Sequence, residues 1–271
     1  MVIRTSDELW LKARALEGGL LNLRTIRYQR YDGILVSMQQ SGTRWIRYML
    51  TLVLARLHDL DLPDNIQGRS IVGKPRHPQT PQIRDTTMSP HYFLRSRTLF
   101  RLFRVPNHLI LVRNLRDTLV SRYEKLISFY EMGKWDYKDD FSTYLRGDVR
   151  RNKYRVDIWS RIRFLNGWGA VVERQPEHVA VLKYEDLMAD TRGQLARVCE
   201  HFGIEGVTPD LIDDVVAVSS KSEMAKHGKP GSLSVRMDPR PAEEWFSVED
   251  RRFLAEVCRR YLKHTFGYRY W

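Results

Sequence analysis

Three short runs of apolar residues stand out along the chain, and a helix-type pattern follows each of them. The runs cover Gly33–Met38, His108–Val112 and Val179–Tyr184. Uninterrupted apolar runs of this length are typical of strands that are buried on both faces of a parallel sheet. Strands that alternate with helices therefore predict an α/β fold with a mainly parallel sheet, whose binding loops lie at the carboxyl ends of the strands.

The helix patterns have start signals that the sequence shows directly. Residues 44–58 are strong helix formers with almost no polar break, and Asp117 can cap a helix that ends near residue 130. Ser247 opens a capping-box sequence, which predicts a last helix that ends near residue 263. Two more helices are predicted over residues 192–202 and 210–218.

The remaining stretches predict a helical extension and three irregular segments. Residues 1–31 form an N-terminal helical extension, with Ser6 as its cap and Gly18-Gly19 as its stop. This helix either covers the core or joins a homodimer interface, and the pattern leaves both open. At 271 residues the chain is expected to be a single domain, 1–271. Irregular substrate and cofactor loops are expected over residues 59–90, 131–160 and 225–245. The first and last are rich in proline and glycine, and the second in aromatic and charged residues.

The charge balance indicates an anionic partner. The formal net charge is +12, and the isoelectric point is near 9.8. The basic residues are spread along the chain without a run of five like charges, which favours a small polyanion over a nucleic acid. No nucleic-acid partner is expected, although binding of DNA or RNA to the basic surface is an alternative.

Other classes of protein are disfavoured by what the sequence lacks. No uncharged apolar window of 18 residues is present and the N-terminus has no apolar signal core, so a cytoplasmic enzyme without a membrane span is expected. Cys199 and Cys258 lie in helix-like apolar patterns, which predicts buried small side chains. Cysteines and histidines do not cluster with metal spacing, so no metal is expected.

The turn after the first apolar run has the features of an anion-binding loop. Gln39-Gln40-Ser41-Gly42-Thr43 connects a strand to a helix, where unpaired backbone N–H groups face outward. Gly42 lets the backbone come close to a ligand, and the hydroxyls of Ser41 and Thr43 add donors. Because Thr43 stands where a nucleotide-triphosphate loop has its lysine, a kinase or NTPase is disfavoured. An ordinary strand-to-helix turn is the alternative if this loop is taken alone.

A second anion-type motif follows the second run. Arg113 lies at the carboxyl end of that strand, and Ser121 falls in the first turns of the next helix. A guanidinium and a hydroxyl at these positions can converge on one phosphate, the guanidinium through a two-pronged contact.

Three motifs in order resemble those of the sulfotransferases that use 3′-phosphoadenosine 5′-phosphosulfate (PAPS). The loop 38–45 matches the S-G-T-x-W part of the family's Y-P-K-S-G-T-T-W, and residues 113–121 match every fixed position of R-N-x-x-D-x-x-V-S. Residues 184–187 match Y-E-D-L after a strand. The resemblance covers roughly residues 33 to 262. It implies a P-loop-like three-layer fold, in which helices flank a central, mainly parallel sheet.

The resemblance also implies roles for individual residues. The 5′-phosphosulfate would be held by four loop residues, Ser41, Gly42, Thr43 and Arg44. Arg113 and Ser121 would hold the 3′-phosphate, and Trp45 and Tyr184 would lie beside the adenine. Residues 219–224, which include Ser220, resemble a family segment that lies near the adenine base. Residues 234–237 resemble a degraded form of the family's late phosphate-binding loop, which makes Arg236 a clamp residue.

The implied reaction moves a sulfuryl group from PAPS to a hydroxyl or amine of a small-molecule, lipid or glycan acceptor. Positioning and charge stabilisation would carry most of the catalysis, with a histidine as base. His91 is the first candidate for this base and His77 the second. Gln40 stands where the family's loop lysine contacts the leaving-group oxygen. A PAPS- or PAP-binding protein that has lost catalysis through Gln40 is therefore an alternative, where PAP is adenosine 3′,5′-bisphosphate.

Overall fold

The structure is a computed structural model that describes most of the chain. The described residues are 5–21, 27, 29–62, 71–73, 79–131, 133, 139–149, 153–154, 156–220, 223 and 240–270.

The described residues form a four-stranded sheet in which all strands are parallel. The strands are β1 (Gly33–Ser37), β2 (Ile83–Thr86), β3 (Asn107–Val112) and β4 (Val179–Lys183), in the spatial order β2-β1-β3-β4. Their registers pair Val36 with Thr86, Ser37 with Leu111 and Val112 with Lys183. All four strands therefore end at the same edge of the sheet, as the alternation of elements predicted.

Ten α-helices are described in the same part of the chain. In chain order they are α1 (Thr5–Leu21), α2 (Thr43–Leu57), α3 (Arg97–Leu102), α4 (Leu115–Glu131), α5 (Phe141–Arg146), α6 (Ile158–Val172), α7 (Tyr184–Ala189), α8 (Thr191–His201), α9 (Pro209–Val218) and α10 (Val248–Tyr261). The capping box predicted at Ser247 is present, with Asp250 as its second member. None of the described helices is long and apolar enough to cross a membrane.

Two apolar clusters lie on opposite faces of the sheet. On one face, Leu35 and Leu109 pack with residues of α2, α8 and α9. On the other face, Ile34 and Ile110 pack with residues of α4, α5, α6 and α10. Successive strand residues point to opposite faces, so a continuous apolar strand feeds both clusters. The result is the predicted three-layer α/β arrangement.

The prediction of irregular structure over residues 59–90 and 131–160 was wrong in part. Strand β2 lies within the first stretch, and α5 and the start of α6 lie within the second. Strand β2 is a four-residue edge strand of sequence IRDT with only Ile83 buried, so it lacks the apolar run that marked the other strands. Asp140 and Asp157 cap α5 and α6 through their side chains. Of residues 225–245, the structure describes only the last six, which contain a 3₁₀ turn over Ala242–Trp245.

Two helix boundaries also differ from the prediction. Helix α1 continues through Gly18-Gly19 to Leu21. Helix α4 begins at Leu115 rather than at an Asp117 cap, because the side chain of Asn114 accepts the N–H of Arg116 at 2.9 Å. Asp117 instead pairs with Arg113 at 3.3 Å. Both cysteines are buried and free, as predicted.

Candidate functional site

The loop of residues 38–42 joins β1 to α2 and has an unusual backbone. Gln40 and Gly42 both have left-handed conformations, with φ of 66° and 94°. Gly42 is the N-cap of α2, and as a glycine it has no side chain to cap this helix end. The N–H of Trp45 donates to the carbonyl of Gly42 at 2.9 Å. The N–H groups of Thr43 and Arg44, at the first two positions of α2, are the ones that an anion could accept. We call this loop, the start of α2, Arg113 and Tyr184 the anion site.

Arg113 connects the second predicted motif directly to the loop. Its Nη1 donates to the carbonyl of Gln40 at 3.3 Å, and its Nη2 pairs with Asp117. Its guanidinium lies over the ring of Tyr184, 4.3 Å from the centroid. Its Nε is buried, without a hydrogen-bond partner among the described residues. The structure thus brings the two motifs together at one edge of the sheet. The N–H of Arg113 Nε is left as a donor for a ligand.

Two aromatic rings, those of Trp45 and Tyr184, pack beside Gly42 in the anion site. A Cβ at Gly42 would lie 2.7 Å from Cδ2 of Tyr184, so this ring covers the glycine directly. Trp45 is buried and meets Tyr184 edge-on, with 6.2 Å between ring centroids. The indole N–H of Trp45 donates to the carbonyl of Ser219 at 2.8 Å, which ties Ser219, the neighbour of Ser220 in sequence, to the site.

Positive charge accumulates on the α2 and α4 side of the site. The pKa of Lys125 is lowered, chiefly by burial and then by the positive charges of Arg44 and Arg122. Ser121 lies on α4 one turn from Asp117 and one turn from Lys125, and therefore on the same face as both. Three cations that lie close enough to interact favour an anionic ligand nearby.

The turn before α4 is held from behind by residues that the sequence did not single out. The carboxylate of Glu185 accepts the N–H of Asn114 at 3.1 Å and the hydroxyl of Tyr268. The hydroxyl of Tyr270 accepts the N–H of Leu115 at 3.0 Å. These contacts occupy the N-terminus of α4, in contrast to that of α2. Glu185 lies in the third motif, but the two tyrosines belong to a C-terminal segment without any motif.

Arg161 is the most deeply buried cation near the site, and the sequence motifs did not reveal it. It lies on α6, is 1% exposed, and its Nη2 donates to the side-chain oxygen of Gln40 at 3.4 Å. The available signal was an arginine on the apolar face of a helix, three residues after Ile158 and four before Leu165.

The predicted loop and catalytic residues fall into three groups. Thr43 and Arg44 are the first two residues of α2, directly after the loop. The hydroxyl of Ser41 is fully buried and donates to the carbonyl of Met38, so in this structure it shapes the loop. His77 and Arg236 lie outside the described residues.

Both ring nitrogens of His91 contact the backbone. Nδ1 accepts the N–H of Phe93 at 3.1 Å, and Nε2 lies 2.9 Å from the carbonyl of Leu20. A carbonyl only accepts, so Nε2 carries the proton and Nδ1 uses its lone pair on Phe93. The lone pair that a general base needs is thus occupied.

The comparison with family models gives one match over most of the chain. Residues 30–263 match the model of the sulfotransferase domain. This range includes the anion site, Arg161 and the candidate bases.

Similarity to individual proteins is low but extends over long alignments. Sulfotransferase 2A2 of Rattus norvegicus is 27% identical over 199 residues, which cover 70% of this chain and 65% of that protein. The 3-alpha-hydroxysteroid sulfotransferase of Cavia porcellus is 26% identical, and 64% of its length is covered. The chain thus spans just under two thirds of these relatives. Cytosolic sulfotransferase 5 of Arabidopsis thaliana is 25% identical over 260 residues, with 82% of this chain and 75% of that protein covered.

Solved structures share the fold. Mouse sulfotransferase SULT7A1 complexed with PAP superposes with a TM-score of 0.59 at 16% identity, over 91% of each chain. Retinol dehydratase, in complex with androsterone and inactive cofactor PAP, also gives 0.59, at 14% identity, over 98% of this chain and 96% of that one. The fold is therefore of the P-loop-like α/β type predicted from the sequence.

Proposed function

The chain belongs to the sulfotransferase family, and from this premise we propose that it transfers a sulfuryl group from PAPS to a hydroxyl or amine of a small-molecule, lipid or glycan acceptor. The observation that carries the proposal is the contact between Arg113 and the carbonyl of Gln40 at 3.3 Å. Two motifs that are well separated in sequence thereby form a single anion site, as one doubly phosphorylated nucleoside requires.

The residues of the anion site fit such a nucleotide. The uncapped N-terminus of α2 offers backbone N–H groups, and the buried Nε of Arg113 is a donor without a partner among the described residues. Thr43, Arg44 and Gly42 would hold the 5′-phosphosulfate, with Ser41 fixing the loop. Arg113 and Ser121 would hold the 3′-phosphate, and bound PAPS would supply the sulfuryl group.

Aromatic residues and a clamp complete the proposed nucleotide site. Trp45 and Tyr184 offer apolar surface for an adenine beside the phosphate-binding residues. Ser220 directly follows Ser219, whose carbonyl accepts the indole N–H of Trp45. This supports a position of Ser220 near the adenine. Arg236 stays a predicted clamp for the 3′-phosphate.

The catalytic base is proposed to be His77. The alternative, His91, uses the lone pair of Nδ1 on the N–H of Phe93 and donates from Nε2 to Leu20, so it needs a rearrangement before it can accept a proton. His77 remains the candidate that the sequence suggests on other grounds, in a basic, proline-rich stretch.

Thermal melting with nucleotides tests the proposed function. PAP should raise the melting temperature more than AMP, because only PAP has the 3′-phosphate, and Arg113→Ala should abolish this difference. Arg192→Ala is the matched control, since Arg192 also pairs with an aspartate but lies on α8. Equal shifts by PAP and AMP in the wild type would refute the proposal.

The acceptor can be identified by an untargeted search that assumes no chemical class. Extracts incubated with the protein and PAPS are scanned by mass spectrometry for compounds that gain about 80 Da, the mass of a sulfuryl group. The same scan addresses the alternative of a PAP-binding protein without turnover. That alternative is favoured by Gln40 in place of the loop lysine and predicts tight PAP binding with no sulfated product.

A further inference from the structure

A fully buried guanidinium lies directly behind the 38–42 loop. Arginine has five N–H donors and no acceptor, and at Arg161 each donor meets an oxygen. Nε donates to Thr118 Oγ1 at 3.1 Å, and Nη1 donates to the carbonyls of Val156 and Asp157 at 3.1 and 3.4 Å. Nη2 donates to the carbonyl of Thr118 at 2.9 Å and to Oε1 of Gln40 at 3.4 Å.

All five acceptors are neutral oxygens. In the part of the chain that the structure describes, Arg161 forms no ion pair with a carboxylate, although it is 1% exposed. A buried charge without a counter-charge is costly, and hydrogen bonds alone offset only part of that cost. The buried carboxylate of Asp157 accepts the N–H groups of Ser160 and Asp148 and is not paired directly with Arg161. An anionic ligand at the 38–42 loop would supply a further counter-charge.

Gln40 is the acceptor that links this charge to the anion site. Thr118 lies in α4, and Val156 and Asp157 lead into α6, whereas Gln40 belongs to the loop that precedes α2. The backbone carbonyl of Gln40 accepts Nη1 of Arg113, and its φ of 66° is unfavourable for a residue with a Cβ. Gln40 is thus held between two guanidinium groups in a strained conformation.

Arg161 also fixes which way the amide of Gln40 points. Since a guanidinium only donates, the amide oxygen must face Arg161 and the NH2 group must point away from it. No described residue accepts a hydrogen bond from this NH2 group, and the side chain is only half-buried. Two N–H donors, polarised by the cation behind them, are therefore available to a ligand at the loop.

We propose that Arg161 is a positioning residue that supplies, through Gln40, the positive charge that a lysine at residue 40 would carry. It orients the Gln40 amide with its NH2 group toward the 5′-phosphosulfate and adds its own charge behind that donor. This inference rests on the proposed function, because it names the ligand group that the anion site receives.

The inference is tested by comparing the affinities for PAP and adenosine 3′-phosphate by titration calorimetry. Gln40→Leu should weaken PAP binding about tenfold, as expected for one lost hydrogen bond to a charged group, and leave adenosine 3′-phosphate unaffected because it lacks the 5′-phosphate. Arg161→Met should have the same effect or a larger one. The double variant should be no weaker than Arg161→Met alone, because both changes remove the same contact.

Two further variants separate orientation and charge from general packing. Arg161→Lys keeps the charge with fewer donors and should recover part of the PAP affinity. Arg163→Met is the matched control, since Arg163 lies on the same helix. Its pKa is lowered by burial and then by Arg14, with opposing effects of Asp157 and Glu17, and none of these residues belongs to the 38–42 loop. This variant should leave both affinities unchanged.

The outcomes are distinguishable from a failure of the proposed function. If the wild type binds PAP no better than adenosine 3′-phosphate, the proposed function fails and the inference fails with it. If the wild type discriminates but the Gln40 and Arg161 variants lose both nucleotides equally, or have additive effects, or change nothing, the inference alone is overturned. Should Arg161→Met not fold, Gln40→Leu and Arg161→Lys decide by the same criteria.

Discussion

Replacing Gly42 by alanine tests whether the shape of the 38–42 loop is built for an anion. Gly42 has φ of 94° and ψ of 17°, in the left-handed region. A residue with a Cβ pays about 1 kcal/mol or more in this region. The new Cβ would also lie 2.7 Å from Cδ2 and 2.9 Å from Cε2 of Tyr184, closer than van der Waals contact allows. Either the loop or the ring must therefore move.

The expected magnitude follows from these two terms. Backbone strain and displacement of the ring together amount to roughly 2 kcal/mol, within the range for overpacked sites. If this strain is released by reshaping the loop, PAP affinity should fall about 30-fold. Gly203→Ala separates the two terms, because Gly203 has a similar φ of 63° but no atom within 4 Å of the place where a Cβ would lie. It should cost about 1 kcal/mol of folding stability and leave PAP binding intact.

Titration calorimetry gives the affinities, and urea unfolding gives the stabilities of the same samples. The reasoning is refuted if Gly42→Ala binds PAP as tightly as the wild type while remaining folded. It is also refuted if Gly203→Ala weakens PAP binding to the same extent, because the effect would then arise from general destabilisation rather than from the loop.

Four further predictions concern stability and catalysis. Burial lowers the pKa of His108 to about 4 from 6.5, so between these pH values the unfolded chain binds a proton that the folded chain does not. Folding stability should therefore fall by about 2 kcal/mol from pH 8 to pH 5. In urea titrations, His108→Leu should flatten this fall. Tyr268→Phe should cost about 1 kcal/mol in urea unfolding, because Glu185 loses its hydroxyl partner. His91→Gln should retain most of the rate at which PAP is formed from PAPS during sulfuryl transfer, whereas His77→Gln should lower that rate about 100-fold. Gln40→Lys should lower the melting temperature, because the ammonium meets Arg161.

The strands of the core were predictable because burial on both faces leaves a continuous apolar run. Gly33–Ser37 is fully buried, and the sequence GILVS shows this directly. The edge strand β2 was missed because it has one partner and only one buried residue, so its sequence resembles a polar loop. Helix α6 was not predicted, because a buried arginine interrupts its apolar face and local sequence does not reveal the five acceptors that satisfy it.

The motifs of the anion site were also predictable, but the contacts between them were not. The sequence suggested that Ser41 and Arg113 serve phosphates. It did not reveal that the hydroxyl of Ser41 is used on Met38, or that Arg113 reaches the loop through the carbonyl of Gln40. The contact of Nε2 of His91 depends on the carbonyl of Leu20, which is 71 residues away in sequence. Such contacts depend on the packing of distant segments, which a local pattern does not encode.

Gln40 shows why position-by-position comparison misjudges a charged site. Compared with the family's loop lysine, glutamine lacks a charge, and this suggested weakened catalysis. In three dimensions a buried guanidinium, 121 residues further along the chain, donates to the side chain of Gln40. Two cations about 4 Å apart repel by about 4 kcal/mol at an effective dielectric constant of about 20. A lysine at residue 40 that followed the path of the Gln40 side chain would therefore be repelled by Arg161, whereas glutamine offers Arg161 an acceptor.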